Sequence, residues 1–150
     1  MSQTLSYVPV HIVFSTKHRL PTIDEAIQPE LHSYLGAICS DLGCMPIRVG
    51  GVEDHVHVLC TLSRKVPIMK VVERLKSLSS AWIKRKSIRY ADFYWQNGYA
   101  IFSVDHTGTH VPTEYIDNQK QHHQHTDFKS EFRELLTKSG MAWDERYIWD

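Results

Sequence analysis

Apolar residues in this chain change period in a fixed order, and that order restricts the folds open to it. Residues 5–16, LSYVPVHIVFST, are rich in β-branched and aromatic side chains and read as a strand, with Pro9 favouring an edge or a bulge. Ile27, Leu31, Leu35, Ile38 and Leu42 then recur at helical spacing, after candidate caps at Thr22 and Asp24, until Gly43 supplies a stop. Ile47 and Val49 lead into the turn signal Gly50-Gly51, and HVHVLCTL over 55–62 reads as the next strand, the two forming a hairpin. Ile68, Val71, Val72, Leu75, Leu78, Trp82 and Ile83 fit one stripe of a second helix, with Lys70, Arg74 and Lys84 on its other side. FYWQNGYAIFSV over 93–104 gives a fourth strand, interrupted at Asn97-Gly98.

This order is βαββαβ, the ferredoxin-like split unit: an α+β fold with an antiparallel sheet and helices on one face. Both helical stripes need the same sheet face, so the helices carrying Leu35 and Leu75 are expected there, and the opposite face is left for a functional site. A polar bridge, DHTGTH, follows, and Pro112 suits a first helical position before TEYIDNQKQHHQH. FKSEFRELLTKSG is a further helix ending at Gly140. Trp143, Tyr147 and Trp149 make the closing MAWDERYIWD too aromatic for a free tail, so it is expected to dock.

With 150 residues and neither repeat nor low-complexity tract, residues 1–150 read as a single domain. A domain of that size buries roughly two thirds of its unfolded surface, so any metal site is expected to be functional rather than structural. Cys39, Cys44 and Cys60 are odd in number and follow no CxxC spacing, which fits buried thiols. The N-terminus lacks a basic leader and no apolar run approaches the ~18 residues of a spanning helix, so a cytoplasmic protein with no membrane association is expected.

Seventeen basic and seventeen acidic residues balance, which argues against wholesale coating of nucleic acid. The distribution is uneven: Arg64 to Arg89 holds nine basic residues and one acid, whereas Glu114 to Asp150 holds eight acids and five basic residues. On charge alone, a solvated helix face explains the basic run as well as a nucleic-acid contact does.

Side chains alternate faces along DHVHVL, so His55 and His57 point the same way and can share one metal ion, although this spacing alone is a weak signal. Leu59 continues that side. On the later helix Tyr115 and Gln119 are four apart and share a face, with His122 and His123 a turn further on. A phenol with a pKa near ~10 is a poor nucleophile unless its target is polarised. A divalent ion on His55 and His57 would supply that polarisation at a phosphate oxygen.

The His-hydrophobic-His strand, the following basic helix and Tyr-x-x-x-Gln-x-x-His-His resemble the single-tyrosine HUH transposases of the insertion sequence 200/605 family, which include the REP-associated tyrosine transposases. HIVFSTKHR and LLTKSGMAWDERYIWD are also similar to that family, and the resemblance runs over roughly residues 6 to 150. It implies cleavage of single-stranded DNA beside hairpins with Mg²⁺ or Mn²⁺, a 5′-phosphotyrosine link made by Tyr115, and transesterification without ATP. By position it implies His55 and His57 as the metal-binding pair and Gln119 as third ligand; His122 and His123 match a family feature without an assigned role. It also implies a homodimer, in which the bridge containing Gly108 could let the Tyr helix complete the partner's site. Arg74 and the Lys84-Arg85-Lys86 cluster are expected to contact DNA phosphates.

Other readings are weaker. A histidine-triad hydrolase needs a third His where Leu59 stands, and two-histidine phosphoesterases need two His-x-Ser/Thr strands. A zinc site of His122, His123 and His125 is disfavoured because adjacent residues point apart on a helix. The non-enzymatic alternative is a catalytically inactive or domesticated hairpin-binding module that stacks single-stranded bases on Tyr94, Trp95 and Tyr99.

Overall fold

The structure, a computed structural model, describes residues 2–150. Strand β1 (Pro9–Ser15) leads to helix α1 (Gln28–Asp41), then β2 (Pro46–Val52), β3 (His55–Thr61), α2 (Ile68–Lys86) and β4 (Ala100–Ser103). The strands form one antiparallel sheet in the order β2-β3-β1-β4, the split arrangement expected from the element order. The central strands β1 and β3 are buried along their whole length. Their register sets Val10, Ile12 and Phe14 opposite Cys60, Val58 and Val56 on one face, and His11, Val13 and Ser15 opposite Leu59, His57 and His55 on the other.

Helices α1 and α2 cover the first face. Leu31, Leu35, Ile38, Val71, Leu75 and Ile83 close over Ile12, Phe14 and Val58, and Tyr34 stacks on Trp82 with ring centres 4.9 Å apart. Asp24 accepts the amide of Ile27 in a turn that precedes α1, so the helix proper starts later than the cap residue suggests. Cys39, Cys44 and Cys60 are buried free thiols.

The last third of the chain covers the second face, the one the sequence reading left for a functional site. Helix α3 (His110–Asp117) and the single turn α4 (Gln119–His122) are followed by α5 (Phe128–Lys138), capped by Asp127 accepting the amide of Ser130. Phe128, Phe132 and Leu136 of α5 pack on Val13 and Ala100, and Ile148 and Trp149 of the tail join them, so the tail docks. Burying this much apolar side chain on both faces is what leaves His55 and His57 without solvent exposure.

Further boundaries differ from the sequence reading: β1 starts at Pro9 rather than at Leu5. Strand β4 starts at Ala100, not near Phe93, because the Lys76 ammonium donates to the carbonyls of Gln96, Asn97 and Gly98 at 2.6 to 3.1 Å and occupies acceptors a ladder would need. The helix expected from Pro112 onward begins at His110, with Pro112 third, and breaks at Asn118 (φ −94°, ψ 13°). Among the described residues no helix is long and apolar enough to cross a membrane.

Candidate functional site

Strand alternation brings His55 and His57 to one face of β3, as their spacing predicts. Each ring is held through Nδ1. Asp54 Oδ1 lies 2.7 Å from His55 Nδ1, and His11 Nε2 lies 2.8 Å from His57 Nδ1. Such outer contacts fix which ring nitrogen points inward, here Nε2 of both. Tyr115 comes from α3 and Gln119 from α4; the break at Asn118 falls between them, yet both reach the same point.

That point is Glu131 of α5, a carboxylate only 1% exposed. Its Oε1 lies 3.1 Å from His55 Nε2, 3.4 Å from His57 Nε2 and 3.0 Å from His123 Nε2. Its Oε2 accepts from the Tyr115 hydroxyl in a short hydrogen bond and from Gln119 Nε2 at 2.8 Å, while Gln119 Oε1 sits 2.9 Å from His55 Nε2. His122 is 3.6 Å from the same oxygen. The two histidines assigned no role by sequence thus border the site. The Tyr helix lies over its own chain's histidine strand, with the Tyr115 and His57 rings 5.7 Å apart.

Electrostatics follow from this packing. Burial opposes charge on His55, but hydrogen bonds to Asp54 and Glu131 outweigh it and raise its pKa to about 9. Burial lowers His57, and burial with the neighbouring His57 lowers His11 to about 3. Glu131 is held far below the usual carboxylate range: burial works the other way, but the histidine hydrogen bonds prevail. Burial and the Glu131 charge push the Tyr115 phenol well above its ordinary value.

The donor set fits a divalent cation. Ligand atoms of His55, His57 and Glu131 lie within 4.8 Å of one another. His57 Nε2 is buried without a hydrogen-bond partner, as a nitrogen reserved for a ligand would be. Two imidazoles with a carboxylate suit a divalent ion of borderline hardness better than a soft one.

Neither Glu131 nor His11 was singled out from sequence. The available signal for Glu131 was an acid within the stripe Phe128, Phe132, Leu136, where an apolar residue is the norm; for His11 it was a histidine alternating with Val13 and Ser15 on a strand. The basic residues Arg74, Lys84, Arg85 and Lys86 lie on α2, across the sheet from this site. Arg74 and Arg85 are exposed, Lys84 lies over the Tyr94 ring and Lys86 pairs with Glu30 at 3.2 Å.

A ferredoxin-like sheet with paired histidines on a central strand, facing a tyrosine on a following helix, has the architecture of a single-tyrosine transposase. The chain belongs to the IS200-like transposase family, whose model, described as "Transposase IS200 like", matches residues 4–119. That span holds His55, His57, Tyr115 and Gln119 and stops short of Glu131. A crystal structure of a candidate transposase from Deinococcus radiodurans R1 shares the fold at TM-score 0.59 and 23% identity, over 79% of this chain and 98% of that one. A REP-associated tyrosine transposase bound to a REP hairpin shares it at TM-score 0.50 and 12% identity, over 79% of this chain and 70% of that one. No curated protein matches the sequence.

Proposed function

We propose that the protein cuts and rejoins single-stranded DNA beside hairpins, with Tyr115 as nucleophile. The observation that carries this reading is the meeting of Tyr115, Gln119, His55 and His57 at the Glu131 carboxylate. Tyr115 Oη attacks the phosphorus and its proton passes to Glu131, which already accepts it as a hydrogen bond. The bond to the 3′ oxygen breaks, that oxygen takes up a proton from water as it leaves, and a 5′-phosphotyrosine remains. Attack by a 3′ hydroxyl reverses the step, so the phosphodiester energy is retained and no ATP is required. A divalent cation, Mg²⁺ or Mn²⁺, held by His55, His57 and an oxygen of Glu131 or Gln119, would polarise a phosphate oxygen and offset the Glu131 charge.

Arg74, Lys84, Arg85 and Lys86 would hold the DNA backbone. The chain would act as a homodimer, with the Gly108 bridge able to carry the Tyr helix to a partner. A hairpin as ligand draws on family membership and on the REP hairpin held by the solved relative.

The test is incubation of a hairpin with a single-stranded flank in Mg²⁺ or Mn²⁺, followed by denaturing electrophoresis. Wild type is expected to yield a protein–DNA adduct, lost in Tyr115→Phe, in His57→Ala and in EDTA. Cleavage without an adduct would replace transesterification by hydrolysis. Hairpin binding with no cleavage in either metal would leave a binding module.

A further inference from the structure

After β1 the chain turns sharply through Lys17–Arg19, with His18 at φ 58° and Arg19 at φ 55°. Two consecutive non-glycine residues in the left-handed region persist only when their surroundings hold them there. Three contacts do so: Lys17 N donates to Tyr94 O at 2.8 Å, Thr16 N to Asp54 O at 2.8 Å, and Arg19 Nη1 to Trp149 O at 2.6 Å. The His18 ring is exposed, and three cavities of about 270, 260 and 240 Å³ meet at it. The first is bounded by Lys17, His18, Leu20, Asp92 and Tyr94. It is smaller than the roughly 300–1,000 Å³ of a whole small-molecule site. Tyr94 is 54% exposed, with the ammonium groups of Lys84 and Lys17 at 4.0 and 5.9 Å from its ring centre.

The position matters as much as the composition. Ser15 pairs with His55, so the turn stands at the end of the sheet where the histidine strand begins. Asp54, which holds His55 Nδ1, lines the second cavity beside His18. Lys84 belongs to the basic end of α2. The turn therefore links the basic helix on one face with the histidine site on the other, around the end of the sheet.

We propose that this turn is a subsite for one unpaired nucleotide of the strand leading to the cleavage site. The base stacks on Tyr94 with Asp92 accepting from its amino group, and the adjoining phosphates rest on Lys17, His18 and Lys84. The ligand class rests on the DNA-cleaving reading above.

The test titrates the full-length protein in EDTA, by fluorescence anisotropy, with a labelled hairpin bearing a single-stranded flank and with the same hairpin blunt. Wild type is expected to prefer the flanked probe. Tyr94→Ala should weaken that probe about tenfold and leave the blunt one unchanged, while Tyr94→Trp keeps the affinity. His18→Gly should also weaken the flanked probe while Tm holds or rises, because glycine accepts the positive φ without strain. Equal binding of both probes by wild type, or flanked-probe affinity within twofold of wild type in both Tyr94→Ala and His18→Gly, would overturn the subsite. The adduct assay is read separately: adduct formation with indifferent flank binding removes the subsite alone, whereas flank-selective binding lost in Tyr94→Ala without any adduct removes the catalytic reading and keeps the subsite.

Discussion

Glu131 occupies a helix position that its neighbours Phe128 and Phe132 mark as core, and it is the group on which the tyrosine and the histidines converge. Glu131→Gln keeps the shape but places an amide beside the amide of Gln119 and removes the proton acceptor. Adduct formation is expected to fall about 100-fold or more, the usual scale for a lost general base, in a time course against wild type. His32 gives a separate, acid-side prediction. Burial first, and then Lys120 and His57, lower its pKa to about 4, and its Nε2 is buried unpartnered. Between pH 6.5 and 4 the unfolded chain therefore takes up a proton that the folded one refuses, so stability drops as pH falls through that window, by up to about 3 kcal/mol. His32→Leu is expected to flatten that limb in urea titrations by this amount. His11, lowered to about 3, leaves a remaining slope of the same sign. His55 and His57 were legible in the sequence because strand alternation acts locally, and Tyr115 and Gln119 because a spacing of four survives the break at Asn118 well enough for both to reach Glu131. Glu131 was not, because only tertiary packing brings α5 over β3.

At the scale of elements, α3 rests directly on β2. A Cβ at Gly50 would stand 2.6 Å from Ile116 Cγ2, closer than side chains pack. Gly50→Val is therefore expected to push α3 outward and cost about 1–3 kcal/mol, measured by denaturation. Displacing the Tyr115 oxygen by about 1 Å should lower adduct yield on the order of 100-fold. Helix α2 offers a different measurement: neutralising Lys84, Arg85 and Lys86 together should weaken hairpin binding and reduce its salt dependence, and an unchanged salt slope would return the cluster to a solvated face. The four strands and two long helices were legible because apolar periods of two and 3.6 leave little choice. The start of β4 was not, since Lys76, reaching from α2 to three carbonyls, is a contact between segments some twenty residues apart.

In the whole molecule the apolar interior is divided by the sheet. The side under α1 and α2 gathers twenty buried residues into one cluster, whereas the side under α5 gathers five, among the described residues. Cooperative units of a protein open at free energies set by the surface they bury, so the two sides are expected to let go separately. In native-state hydrogen exchange, amides of β1 and β3 should exchange only by global unfolding. Amides of α3, α4 and α5 should exchange through a smaller opening with a lower denaturant slope. Exchange of all these amides with one common slope would show a single unit instead. If the smaller opening exists, the histidines that are sealed at rest become reachable by a DNA strand while the greater half of the interior stays folded: admission of substrate is then a fluctuation of the minor unit alone.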